Sequence, residues 1–444
     1  MKKFLLAAIL LVFSSLPAAA LPVETVTSDS GIEAWLVQDR SVPVVSIAFA
    51  FRGGVEQDPV KRQGLSALLA ELMTAGAAGR DAAQFQQALA DHGIRFGFSA
   101  ERDAVSGSVK ALREDMDMAA ELAHDALTAP RFDAADIERI KQEHITVVSS
   151  RLADPEWQAR RTMFGALFPG HPYALRSYGT KASIAAATTE DLQQERKRRF
   201  ARGNLLVTAV GDITPHELNV WLDKVFGDLP AEADLRPVAD IEAPPRGITI
   251  HVPHEGGQSV LLFAAPGIKR DDPDWHAAAI LDYILGGGGF SSRLMNEVRD
   301  KRGLTYGIGA SLAAMDHAGI MLGQALTANA KAGEAWKVTR NVWAKTWQEG
   351  VTEAELADAK SYLIGALPTG FTSTDAIAAV LLNLRQEHLP ADYLDDREDL
   401  LAAVTREDIA RAAKRLLDPA RLTLVVVGKA AGIKADKEEK FVKE

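Results

Sequence analysis

Two periodicities alternate along this chain. Residues 44–51 form an apolar, β-branched and aromatic run broken only by Ser46, the pattern of a buried strand. Leu65, Leu68, Leu69, Leu72 and Met73 follow at i, i+3, i+4, i+7 and i+8, which predicts a helix with one apolar stripe. Residues 119–126 and 134–149 read as further helices, and 205–210 as a second buried strand. The pattern then repeats. Thr188-Thr189-Glu190-Asp191-Leu192 leads into a β-rich run ending at Gly211; Thr405-Arg406-Glu407-Asp408-Ile409 leads into another ending at Gly428, with both matches 217 positions apart. Residues 132–143 resemble 351–362 at a separation of 219, and 44–51 and 259–265 each open a half with β-rich sequence. Near-constant separations imply a duplicated pair of lobes. Between them, residues 229–247 carry four prolines and few large apolar side chains, an extended linker. The expected architecture is α+β: two homologous lobes, 21–228 and 248–430, each a mostly antiparallel sheet with helices packed on one face. Residues 431–444 form a charged tail expected to fray.

The first twenty residues follow a different logic. Lys2 and Lys3 precede an apolar run over 4–13, and small residues follow at Ala18 and Ala20. This order predicts a secretory signal peptide; the run is shorter than the roughly 20 residues a membrane helix needs. The chain is therefore expected to be exported, periplasmic and soluble, with a lone N-terminal anchor as the alternative. Of 444 residues, 47% are hydrophobic and 25% charged, an ordinary globular balance. The formal charge of −10 argues against a nucleic-acid partner, and the absence of cysteine removes disulfides, thiolate metal sites and cysteine nucleophiles.

Gly53-Gly54, an acidic residue, and Gly64-Leu65-Ser66 opening a helix that ends near Gly76 resemble the entry of a pitrilysin/insulinase-like metallopeptidase lobe. His171-Pro172-Tyr173, the Val-Gly-Asp strand end at 210–212, the glycine-rich run Leu285-Gly286-Gly287-Gly288-Gly289-Phe290 and the segment from Arg299 to Tyr306 fit the same family in its own order. The resemblance implies an H-x-x-E-H helix in the first lobe, whose two histidines bind zinc from one face, whose glutamate is the general base, and whose third ligand is a glutamate about 76 residues on. The family's positions fall here on Ala67, Ala70, Glu71 and Val147, with Thr146 and Val148 as neighbours. Both histidines, the base and the distal ligand are replaced, so no zinc is expected in this chain. Glu143 and His144 precede Val147 by a turn of helix and read as a solvated helix face. His251 and His254, three apart on extended sequence, point to opposite faces and chelate poorly.

The resemblance also implies a role for Arg299 and Tyr306, seven residues apart: in the family such a pair, supplied from the C-terminal lobe, binds the substrate backbone and stabilises the oxyanion across a closed chamber. Residues 291–302 are expected as a helix, Gly303 as its left-handed stop and 304–309 as a strand. Gly286, Gly287, Gly288 and Gly289 are a possible substrate loop or a plain flexible turn; they lack the Gly-Lys-Ser/Thr of a phosphate loop. Arg196-Lys197-Arg198-Arg199 near a helix end reads as a solvated, dipole-compensating cluster. The expectation is a non-catalytic subunit of an exported heteromeric zinc peptidase. Its partner would carry H-x-x-E-H and the zinc, and the two would enclose extended, unfolded peptides. The alternative is an inactive peptide-binding or scaffolding homologue; a self-sufficient peptidase with unusual ligands is the third reading.

Overall fold

The structure, a computed structural model, describes residues 21–244 and 246–442; the expected signal peptide lies outside them. The first half forms a six-stranded sheet from β1 (Glu24–Thr27), β2 (Glu33–Gln38), β3 (Val44–Arg52), β4 (Arg95–Ala100), β5 (Ala104–Leu112) and β6 (Leu205–Gly211), ordered β1-β2-β6-β3-β5-β4. The second forms another from β7 (Thr249–Val252), β8 (Gln258–Pro266), β9 (Ile308–Met315), β10 (Ala318–Ala328), β11 (Thr423–Val427) and β12 (Lys437–Glu438), ordered β12-β7-β11-β8-β10-β9. Without the outermost strands β1 and β12, the two orders correspond strand for strand, so the internal repeat is a repeat of topology. Among the described residues only β2–β6, β7–β11 and β7–β12 are parallel pairs.

The central strands explain the layering. All seven inner residues of β3 are buried, and β11 is buried throughout, so neither strand has a polar face. Helices of the same half cover one face of each sheet, among them Leu65–Leu72, Met116–Thr128 and Pro215–Phe226 in the first and Ala332–Glu349 and Arg406–Leu416 in the second. The other face is covered reciprocally. Helix Thr374–Gln386 of the second half lies on β3 and β6, and helix Pro155–Leu167 of the first half lies on β8 and β11. Each half's own helices cover one face, as expected, and the other half's helix covers the second, where an apolar surface of several strands would otherwise face water. The few polar side chains on the covered faces find partners: Ser46 Oγ is 2.7 Å from Thr374 Oγ1, and Thr208 Oγ1 donates to Ala378 O at 2.9 Å. Arg385 donates to Val207 O at 2.8 Å while its guanidinium rests over the Trp35 ring.

The linker is extended but pinned. Gly203 N–H donates to Ala231 O, Arg236 N–H to Gln57 Oε1, and Ile241 N–H to His317 O. The tail does not fray as expected. The open edge of β7 offers unpaired backbone groups, and β12 takes them as a parallel strand. Beyond it, Phe441 stacks on His254 at 4.3 Å and Val442 O accepts from Gln158 Nε2 at 2.6 Å.

The basic run at 196–199 also departs from expectation. Arg199 is 0% exposed. Its guanidinium reaches Asp58 at 2.9 Å and Glu195 at 2.7 Å, and donates to Gly54 O at 2.9 Å and to Ser66 Oγ. Arg196 donates to Leu127 O, leaving Lys197 as the solvated member. Local sequence pairs Arg199 with Glu195 one helical turn back, but Asp58 is brought in only by the fold. Removing one partner of a buried ion pair strands the other charges, so Arg199→Ala is expected to cost about 3–5 kcal/mol in urea denaturation, against about 1 kcal/mol or less for Lys197→Ala.

Candidate functional site

The helix that would carry the metal site starts at Gly64, whose φ of 85° is left-handed. A Cβ there would stand 2.7 Å from the backbone N of Gly179, so glycine is required on two counts. Asp58 caps the helix, accepting from Gly64 N–H at 2.8 Å and Ser66 N–H at 3.1 Å. The frame is intact, but its chemistry is gone. Ala67 and Ala70 are buried methyl groups with nothing to donate to a metal, and Val147 is an exposed valine on the helix Ala134–Leu152. Among the described residues no group of three or more His, Cys, Asp or Glu is placed to hold a metal ion. The residues present do not fit the family's zinc.

What stands there instead is a direct contact. His144 Nε2 lies 2.8 Å from Glu71 Oε1, and His144 is only 1% exposed. The reading of Glu143 and His144 as a solvated face is therefore half wrong. Glu143 is exposed and pairs with Arg139 at 3.0 Å, whereas His144, about 100° further round the helix, points inward. By the resemblance, Glu71 falls at the position of a family histidine and His144 a turn before the distal ligand position. The two helices that a metal would join are joined by this pair. His251 and His254 diverge: Nε2 of His251 lies 2.8 Å from Gly428 O, while His254 stacks on Phe441.

In the second half, Arg299 lies in a π-helical turn, Met295–Asp300, and the chain reverses at Gly303 with φ of 58°. Tyr306 lies in the loop before β9, not in the strand expected from 304. Thr305 Oγ1 ties the chain down there, lying 2.7 Å from Leu326 O and 2.8 Å from Gly307 O, with its one proton available to either. The pair is built as a unit: Arg299 Nε donates to the Tyr306 carbonyl at 2.9 Å, Nη1 meets Asp300 Oδ1 at 2.6 Å, and the guanidinium sits 4.9 Å from the Phe290 ring centroid. Tyr306 is 91% exposed and Phe290 70%. Arg299 Nη2 and the Tyr306 hydroxyl have no hydrogen-bond partner among the described residues, and both border a cavity of about 610 Å³. Arg299 is thus held by the Tyr306 carbonyl with a donor to spare, the Tyr306 hydroxyl stands in solvent, and Phe290 adds an apolar surface that sequence reading did not single out.

The glycine loop has a structural duty as well. Gly286 lies so close to Ala310 of β9 that a Cβ would overlap its backbone N. Gly287 and Gly289 remain exposed. Beneath the loop, burial pushes the Asp282 carboxyl up to about 7 against the pull of the Leu312 amide, and its Oδ1 has no partner.

Comparison with known proteins agrees with this geometry. The family model described as insulinase (peptidase family M16) matches residues 34–164, and the one described as peptidase M16 inactive domain matches residues 186–363. The chain belongs to the M16 peptidase family. It is 26% identical to the non-peptidase homolog YmxG of Helicobacter pylori over 83% of this chain and 85% of that protein. It is 25% identical to an uncharacterized zinc protease of Mycobacterium tuberculosis, covering 90% of this chain and 92% of that one. The crystal structure of a peptidase M16 inactive domain from Pseudomonas fluorescens superposes with a TM-score of 0.86 at 29% identity, covering 94% of this chain and 100% of that chain. The chain is an inactive M16 member with the two-lobed M16 fold.

An M16 chain stripped of its ligands should be indifferent to chelation. Purified protein is expected to carry no stoichiometric zinc by elemental analysis and to melt at the same temperature with and without EDTA. Glu71→Ala, which removes the half-exposed carboxylate in contact with a buried imidazole, is expected to lower stability by about 1 kcal/mol or less in urea denaturation. Asp282 gives a pH signature. Its folded pKa lies above the usual carboxylate value, so the folded state holds a proton that the unfolded chain releases. Its stabilising contribution is full below about pH 4 and is lost as pH rises through about 7. Stability measured across that window should fall relative to Asp282→Asn, in which this component is absent.

Proposed function

We propose that this M16 chain is the non-catalytic subunit of an exported, periplasmic two-chain zinc peptidase. It supplies Arg299 and Tyr306 to a partner of similar fold that carries H-x-x-E-H and the zinc. The observation that carries the reading is an asymmetry within one molecule: the first half has exchanged every metal donor for alanine, valine and a Glu–His contact, while the second keeps an oriented, solvent-facing Arg–Tyr pair. An exposed tyrosine beside an arginine anchored on three sides has no internal task to perform. Facing a substrate carbonyl across a closed chamber, both groups donate, and their hydrogen bonds strengthen as charge develops on that oxygen. The substrate is an extended, unfolded peptide bound chiefly through its main chain, with glycines 287 and 289 offering bare backbone for close approach. Among the described residues no helix is long and apolar enough to cross a membrane, which accords with a soluble subunit once the leader is removed.

Affinity purification of the tagged chain from its native cell should bring down a partner of similar size bearing H-x-x-E-H. In the reassembled complex, Arg299→Ala is expected to lower kcat by about 10²–10³-fold with assembly unchanged, the range for loss of one oxyanion donor. Full activity in that variant would deny the pair a catalytic role. Recovery of the chain alone or only with itself would favour a peptide-binding scaffold.

A further inference from the structure

Between the helix Pro155–Leu167, the loop that follows it, the linker and β7 lies a second cavity, of about 1010 Å³, sharing no residue with the Arg299 site. Three arginines line it: Arg161, Arg176 and Arg236. Arg236 is committed, donating to Gln57 O and standing 3.4 Å from Glu195. The other two are not. Arg161 and Arg176 are half-buried, and neither side chain forms an ion pair or hydrogen bond among the described residues. Burial pulls both guanidinium pKa values down, and the charge of Arg161 pulls Arg176 down further.

The carboxylates on the same walls are occupied or neutral. Glu439 acts on Arg161 from a distance but is paired with Lys437 at 2.7 Å. Asp58 belongs to Arg199. Glu56 is buried, accepts from Gly54 N–H at 3.1 Å, and is pushed up to about 8 by its burial, which leaves it protonated at neutral pH. Two like charges, partly desolvated and facing one open volume with no acceptor, are costly unless something negative enters. Pro59, Val60, Ala166, Leu175 and Ile248 give the rest of the wall an apolar part, beside Gln63, Thr162 and His171.

We propose that Arg161 and Arg176 form an oxyanion-binding site that takes a carboxylate or phosphate group carried on a largely apolar body. Each guanidinium presents a planar fork of donors suited to the two oxygens of such a group, and occupation relieves their mutual repulsion. The apolar walls hold the remainder of the ligand. Neither residue belongs to the Arg299–Tyr306 pair, so the site is independent of the peptidase reading.

Isothermal titration of the full chain at low ionic strength with N-acetyl-leucine, N-acetyl-leucinamide and inorganic phosphate tests this. N-acetyl-leucine is expected to bind about tenfold or more tightly than its amide, and Arg161→Gln and Arg176→Gln are each expected to weaken it by about tenfold or more. The melting temperature of unliganded Arg176→Gln should equal or exceed that of the parent, which separates lost binding from lost folding. Phosphate binding as tightly as N-acetyl-leucine would keep the anion site and overturn the role of the apolar walls. Equal binding of acid and amide, affinities unchanged in both variants, or no binding of either anion would overturn the proposal.

Discussion

The constraint on which this molecule depends is that its central strands are apolar on both faces. A sheet whose middle strands are buried on both faces cannot be finished by helices from one side. Each half solves the problem by lending a helix to the other: Thr374–Gln386 closes the first sheet and Pro155–Leu167 the second. Neither half is complete alone, and the pairing of halves is a condition of folding rather than an accessory to it. The lent helices also shape the seams, and the 1010 Å³ cavity opens beside one of them.

Within that frame, the two halves have diverged in what they expose. The capped helix at 65–72, its left-handed glycine and the neighbouring long helix keep the geometry of a metallopeptidase lobe. Yet the helices are braced by Glu71 and His144 where the family uses a metal. A direct carboxylate–imidazole contact of this kind needs no cofactor. The second half does the reverse. Its Arg299 is fixed by a backbone carbonyl, a carboxylate and an aromatic face, so that its remaining donors stay outward.

Much of this was legible in the sequence, because it was written in short range. The constant separation of repeated segments foretold two lobes, which prove to share a strand order. What escaped was decided by partners far along the chain. Arg199 looked like one of four solvated cations until Asp58, 141 positions away, proved to be its counterion. His144 looked solvated because its inward face is set by the helix at 65–72. The charged tail looked free because nothing in its composition reports that β7 has an open edge. Tyr306 was placed in a strand because a side-chain hydrogen bond of Thr305, invisible to periodicity, holds the chain out of the ladder.

The measurement that bears most directly on the central claim is site-specific photocrosslinking from position 306, with p-benzoylphenylalanine replacing Tyr306 in the chain expressed in its native cell while peptide substrate is present. The account predicts crosslinks to peptide and to the H-x-x-E-H helix of a second chain, since under the proposed reading the exposed side chain would face both. Crosslinks confined to solvent-side surfaces or to copies of this chain, with none to a zinc-bearing partner or to peptide, would contradict it.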